Sequence, residues 1–447
     1  MITKIEVDGF KSLKDFDLKL KQGVNILVGP NGAGKTNIIL FFEFLSNLLE
    51  HQVGNAVSYA GGAGSIFQKI GRDSYNDTIK GKIHGSFEES TKKWVAYEYG
   101  FEIKISFEKD NVFYTKQHIK ARLSNSFSAD PDILDDTRKW DVDILFRYNE
   151  SEKVPEVTVG NFDKFKLRFI VSDSKKQKVS EALKDFLMGN NLLYNSSIKT
   201  VSFVIQSLSK LYIDLKGGET FNIVPSKVRE LEDSATPPGI NKDGSGLATT
   251  LYAMKKNRSY KTIPYDMFYM NESPKNYNPQ LLDKIVKYLK AANSTINNLS
   301  VENDPFNNRL AVKINIKTGN YESLLPLSSM SDGTIKWLTL ITAILTSKTI
   351  FSIEEPENFL HPWMQAEIVK IMRNHLEEKK HKSFVLMTTH SESLLNQANP
   401  EELIVVNLAN GKTNTHRVCE VESVKEEISK SGFGLGHFYF SNALNND

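Results

Sequence analysis

Eight residues constrain this chain more than any others. Gly29-Pro30-Asn31-Gly32-Ala33-Gly34-Lys35-Thr36 follows a short apolar run, Val24 to Val28, and precedes a stretch, Asn37 to Leu49, whose apolar residues recur at helical spacing. A continuous apolar run reads as a buried strand, so the local order is strand, glycine turn, helix. Glycines in such a turn let successive backbone N–H groups point inward around an anion, where side chains would obstruct them. The helix behind contributes the positive end of its dipole. This is a phosphate loop: Lys35 is expected to bridge the β- and γ-phosphates of a nucleotide, and the Thr36 hydroxyl to ligate Mg2+.

The rest of the chain extends this alternation. Ile2–Val7 and Phe16–Leu20 alternate as strands ahead of the loop. Near the other end, Ser331–Leu345 reads as a loop opening a helix, and Thr349–Ile353 as a buried strand. Trp363–Glu378 reads as a helix, with Ser383–Met387 and Glu402–Leu408 as further strands. Strands and helices in turn indicate an α/β sheet. The long middle differs. Thr78–Phe87, Trp94–Phe107 and Val112–Leu123 look like a β-meander, and residues 178–213 and 279–292 look helical. Lys216–Gly246 is irregular, and frequent Asn from Asn271 to Asn308 suggests loops. Sustained heptads and repeats of fixed period are absent, so the middle reads as folded decoration and not as a coiled-coil arm.

Glu354-Glu355-Pro356-Glu357 stands directly behind the run Thr349–Ile353. Adjacent carboxylates at the mouth of a buried strand are costly unless they meet a cation or serve chemistry. Glu354 is expected to hold Mg2+ through its water shell, and Glu355 to orient and deprotonate an attacking water. Glutamates also cap strands and open solvated turns. The phosphate loop upstream and Pro356 at the exit favour the chemical reading.

Composition narrows the partners only a little. The 447 residues suit two domains, and 40% hydrophobic with 25% charged residues is an ordinary globular balance. A formal net charge of +2 argues for no particular partner. The single cysteine, Cys419, excludes an internal disulfide framework and a Cys-rich zinc site. Nothing behind Met1 resembles a signal peptide, and the apolar stretch Trp337–Leu345 is far short of the roughly 20 residues that span a bilayer. The expectation is a cytoplasmic protein with no membrane segment.

Six stretches taken in order carry a resemblance: Gly9-Phe10-Lys11-Ser12-Leu13, the phosphate loop ending Thr36-Asn37, Ser328 to Thr334, Glu354 to Pro362, Thr388-Thr389-His390-Ser391, and Gly434-Leu435-Gly436 with Tyr439-Phe440-Ser441. Together they resemble the SMC/RecF/OLD-like branch of ABC ATPases, in its compact bacterial form with Glu-Glu-Pro-Glu and a following His-Pro. The resemblance covers both ends of the chain and none of the middle. It implies an α/β fold: an ABC-type P-loop ATPase head with an antiparallel β subdomain and a mixed α+β insertion in place of a coiled coil. The implied division is 1–120 for the N-terminal half of the head, 121–299 for the insertion and 300–447 for the C-terminal half. ATP is then expected to lie on Lys11, Gly29, Pro30, Asn31, Gly32, Ala33, Gly34, Lys35, Thr36 and Asn37. Ser331 and Gly333, at the place of the ABC signature, would meet the γ-phosphate held by a second copy. Mg2+ falls to Thr36 and Glu354, and catalysis to Glu355, Lys35 and the switch histidine His390. Glu357, Asn358 and His361 fall in the loop expected to cross the dimer interface.

Two departures from the wider family stand out. Glu354 replaces an aspartate common in ABC proteins, and Asp332 replaces a glycine usual in transporters, which argues against a transporter subunit. For the glutamine loop the candidate is Gln68, which reads equally well as a surface residue. Residues 391–447 leave too little room for a toprim nuclease domain, and no Cys-x-x-Cys hook, HNH-like cluster or His-Glu-x-x-His helix is visible. His381, His416 and His437 are isolated. The resemblance implies a nucleotide-driven homodimer or larger homo-oligomer, working as the sensor ATPase of an anti-phage system with a separately encoded effector. A RecF-like DNA clamp and an ATP-binding scaffold with little turnover stay open beside it. DNA contact through Lys116–Lys120 or Lys255–Lys261 belongs to the clamp reading.

Overall fold

The computed structural model describes the chain apart from residues 73, 91–92, 107–109, 125–138, 161–164, 166–175, 217, 258, 261–274, 348–349, 379–382 and 442–447. Phe107, Lys261, Asn271, Thr349 and His381, named above, therefore lie outside the described residues.

The motifs sit on a six-stranded sheet. Its order is Lys412–Arg417, Leu403–Ala409, Gly23–Val28, Phe384–Thr388, Phe351–Glu354 and Glu219–Phe221. Neighbours are parallel except for the outer hairpin of Leu403–Ala409 with Lys412–Arg417. Side chains along a strand point to opposite faces in turn, and here the alternation separates two cores. Phe384 and Leu386 join Leu27 and Ile404 in one core, while Val385 and Met387 join Val24, Ile26 and Val28 in the other. Both faces are covered, which explains why these strands read as continuous apolar runs.

The first core lies under a seven-stranded antiparallel sheet, ordered Phe16–Lys19, Ile2–Asp8, Thr78–Ser90, Lys93–Ser106, Asn111–Ser124, Val142–Asn149 and Val154–Val159. The phosphate-loop helix, Lys35–Glu50, is packed between the two sheets. Phe41 and Phe44 meet the Phe10 ring at centroid distances of 5.5 and 5.4 Å, and Phe41 stacks on Phe101 at 6.5 Å. The expected boundary at 120 falls within Asn111–Ser124, and two further strands of the same sheet follow it.

The second core is built around Asp332–Thr346, a helix buried continuously from Ile335 to Leu345. Around it pack the helix Pro279–Ala292, the helix Pro362–Glu377 and a small antiparallel sheet containing Ile296–Asp304, Arg309–Thr318 and Tyr321–Pro326. Trp337 donates from Nε1 to the Tyr288 carbonyl at 3.0 Å. Across 176–292 the described chain is thus helices and short strands, and the longest described helices anywhere have 16 residues. No described helix is long and apolar enough to cross a membrane.

Candidate nucleotide site

Parallel pairing brings three motif-bearing strand ends side by side. Glu354 is in register with Thr388, and Thr388 with Leu27. The phosphate loop, Thr389-His390 and Glu355 therefore leave the sheet along one rim, the carboxyl edge where α/β sheets bind ligands.

The loop itself is held open from behind. Gly34 has φ of +104°, and a Cβ there would stand 2.0 Å from Thr413 Oγ1. Only glycine fits that close approach. Thr413 Oγ1 lies 2.7 Å from Ser12 Oγ and donates to the Ala33 carbonyl at 3.0 Å. Asn37 Nδ2 donates to Ser12 Oγ at 2.7 Å. The first and last hairpins of the head thus meet at the loop. Pro30, Asn31, Gly32 and Thr36 are exposed on its mouth. Lys11, beside Ser12, has a left-handed backbone with φ of +48° and donates its N–H to the Ile66 carbonyl; burial pulls its ammonium pKa down.

Lys35 is buried and donates from Nζ to the carbonyls of Gly29 and Pro30, at 2.8 and 3.0 Å. Burial lowers its pKa, while Glu355 and Glu357 oppose that shift. A buried ammonium folded over its own loop suits a phosphate. Across from it, burial raises the Glu354 carboxyl above its usual range, reinforced by Glu43 and Glu355. Lys242 and a hydrogen bond with Thr36 pull the other way. A carboxylate short of positive charge beside a hydroxyl is a donor set that fits Mg2+.

Glu355 occupies a left-handed backbone conformation, φ +42°, unusual for a glutamate. Its N–H donates to the carbonyl and hydroxyl oxygens of Thr388, at 3.1 and 3.2 Å. Its Oε2 accepts from Asn358 Nδ2 at 3.0 Å. Glu357 Oε1 accepts from the His390 N–H at 2.6 Å and the Thr389 hydroxyl at 2.9 Å. The other oxygen, Glu357 Oε2, is buried with no partner among the described residues. His390 is exposed beside it.

Ser331 caps the helix Asp332–Thr346, accepting from the Thr334 N–H at 3.3 Å. Asp332 pairs with Arg229 at 2.6 Å, and Arg229 also donates to the Ser328 and Met330 carbonyls. Gly333 packs so closely on the loop after Glu355 that a Cβ would lie 2.6 Å from the Phe359 carbonyl oxygen. Among the described residues, no hydrogen bond joins Ser331 or Gly333 to the phosphate loop of the same chain. His361 caps the helix Pro362–Glu377. Gln68 is buried beside Gly9, with its N–H on the Gly9 carbonyl at 2.9 Å.

Four residues at or behind this rim escaped sequence reasoning. Thr413 and Arg229 are ordinary residues in unremarkable surroundings. Lys242, which pairs with Glu43 at 2.6 Å, sits in the irregular stretch Lys216–Gly246. Lys336 did leave a signal, as the one charge inside the apolar run Ile335–Leu345.

A family model, AAA_21, described as "AAA domain, putative AbiEii toxin, Type IV TA system", matches residues 24–396. An ATP/GTP phosphatase of Helicobacter pylori is 22% identical over 406 residues, covering 88% of this chain and 86% of that protein. The DNA replication and repair protein RecF of Corynebacterium jeikeium is 35% identical over 54 residues, 12% of this chain and 13% of that protein. Among solved structures, an Smc head bound to the C-winged helix domain of ScpA aligns with a TM-score of 0.48 at 12% identity, covering 94% of this chain and 99% of that one. The chain belongs to the AAA_21 family, described as an AAA domain, and is an ATPase.

Proposed function

We propose that this ATPase is a nucleotide-driven switch in which two copies close head to head around two ATP molecules and hydrolysis reopens them. One observation carries the reading: Ser331 and Gly333 present a capped helix terminus beside Phe359 with no bond to their own phosphate loop. A second copy would complete the site. ATP would be held by Lys11, the loop Gly29–Thr36 and Asn37, with Lys35 turning from its own carbonyls to the phosphates. Thr36 and Glu354 would hold Mg2+, which when bound offsets negative charge on the β- and γ-phosphates. Glu355 orients the attacking water and accepts its proton, and Asn358 steadies the carboxylate that does so. His390 would sense the γ-phosphate, with its backbone N–H donating to Glu357. Each γ-phosphate joins two surfaces only while intact, so its loss releases the pair.

The biological setting we propose is a bacterial anti-phage system, with this chain as sensor and a separately encoded effector. The family description, which names a toxin–antitoxin system, supports a two-protein arrangement. A RecF-like DNA clamp is the second reading, favoured by the local matches to RecF. Glu355→Gln tests the switch. It should bind ATP normally, trap the dimer and lower turnover by about 100-fold or more, in the range seen when a general base is lost. Turnover at the wild-type rate would sink the catalytic assignment. ATP-dependent DNA binding by the chain alone favours the clamp, and a stable complex with the product of a neighbouring gene favours the sensor.

A further inference from the structure

Lys336 stands inside the apolar stretch Ile335–Leu345 of the helix Asp332–Thr346, and only 2% of it is exposed. A lysine so placed must be compensated, and its neighbours show how. Its Nζ donates to the backbone carbonyl of Glu355 at 3.0 Å. The same ammonium lies 5.8 Å from the centroid of the Phe359 ring, within cation–π range. Burial pushes its pKa down to about 8, while Glu357 and Glu355 push it back up.

The two residues it reaches share an unusual property. Glu355 and Phe359 both have left-handed backbones, with φ of +42° and +67°. Side-chain-bearing residues hold such conformations only where surrounding structure over-determines them. One buried cation thus binds both strained points of the loop that begins with the proposed base. It arises from the helix whose first turn carries Ser331 and Gly333.

We infer that Lys336 is a positioning residue for hydrolysis: it locks the Glu355–Phe359 loop in its strained form and ties that loop to the helix behind Ser331 and Gly333. Lys336 acts through Glu355, whose carbonyl it holds. A shift of the signature turn, as a second copy docks, is thereby passed to the carboxylate of the same chain. This inference rests on Glu355 as the base.

The test compares Lys336→Met, Lys336→Arg and Glu355→Gln in the full chain. It measures steady-state ATP turnover, binding of a fluorescent ATP analogue and thermal melting. Lys336→Met should lower kcat by about 10-fold or more, the scale on which mispositioning acts. Its affinity for the analogue should stay within about threefold, and its melting temperature should not fall, because a buried charge has been removed. Lys336→Arg keeps a charge and a donor and should retain at least about a third of kcat. A kcat for Lys336→Met within threefold of wild type overturns the inference, as does a loss expressed in affinity alone. Should Lys336→Met fail to fold, Lys336→Arg decides: kcat below a tenth with normal melting overturns the inference. Glu355→Gln separates the two layers, since its full activity would refute the base, whereas its inactivity beside an active Lys336→Met refutes only the role of Lys336.

Discussion

Thr413→Val removes one hydroxyl, almost without changing shape, at the point where the far end of the chain touches the phosphate loop. Thr413 is 1% exposed, and its Oγ1 serves both Ser12, at 2.7 Å, and the Ala33 carbonyl, at 3.0 Å. One part-buried and one buried hydrogen bond of this kind are worth about 1 kcal/mol each, and an acceptor left dry costs about 1–3 kcal/mol. Ser12 keeps its bond from Asn37 but loses the acceptor for its own half-buried hydroxyl, so the fully buried group left uncompensated is the Ala33 carbonyl. A total of about 2–3 kcal/mol is expected, divided between stability and the ordering of Gly34 and Lys35. If most of it falls on loop ordering, ATP binding weakens by about 30- to 150-fold, at 1.4 kcal/mol per tenfold. Titration with a fluorescent ATP analogue, paired with thermal melting, measures both shares. Thr413→Ser keeps the hydroxyl and should stay near wild type. A Thr413→Val protein with unchanged affinity and unchanged melting would refute the idea that this hydroxyl braces the loop.

Two further substitutions probe the rim. The Glu354 carboxyl has its pKa raised in the folded state, so the folded chain holds that proton more tightly than the unfolded one. Its favourable contribution is present below the unfolded value of 4.5 and is lost as pH rises through the folded value. Glu354→Gln should therefore melt above wild type at neutral pH in chelator, with the gap closing as pH falls toward 4.5, and turnover should collapse; a pH-independent gap would contradict the burial argument. Arg229→Met removes the pair with Asp332 and two donated bonds to the turn before Ser331, a loss of about 1–2 kcal/mol for a partly exposed site. ATP affinity of the single chain should hold while turnover acquires a steeper dependence on protein concentration, and analytical ultracentrifugation with ATP should show a weaker dimer. Equal dimerisation of both proteins would remove Arg229 from the signature turn's support.

What the sequence made legible is local. The phosphate loop declares itself because glycine is the residue that both turns tightly and tolerates a neighbour 2.0 Å from its Cβ position, as at Gly34. The acidic pair declares itself because charge behind a buried strand is expensive. The α/β alternation was readable because both faces of the sheet are covered, and the 279–292 helix was readable from its periodicity. Thr413, Arg229 and Lys242 were not, because each reaches the rim through chain folding and not through its neighbours in sequence. Arg229, for example, lies about a hundred positions before the turn it braces. Likewise, the short edge strand Glu219–Phe221 could not be read from three residues, since its partner strand creates it.

The contact between Thr413 and the Ala33 carbonyl spans 380 residues of chain. During synthesis at roughly 5–20 residues per second, the phosphate loop waits on the order of 20–80 s for the hairpin that braces it. The sheet imposes the same delay, because Gly23–Val28 has as neighbours only Phe384–Thr388 and Leu403–Ala409. The nascent chain therefore exposes an unpartnered apolar strand for most of its translation. On the proposed assignment of the loop, a product ended before Thr413 would carry the whole glycine motif without the hydroxyl that braces it.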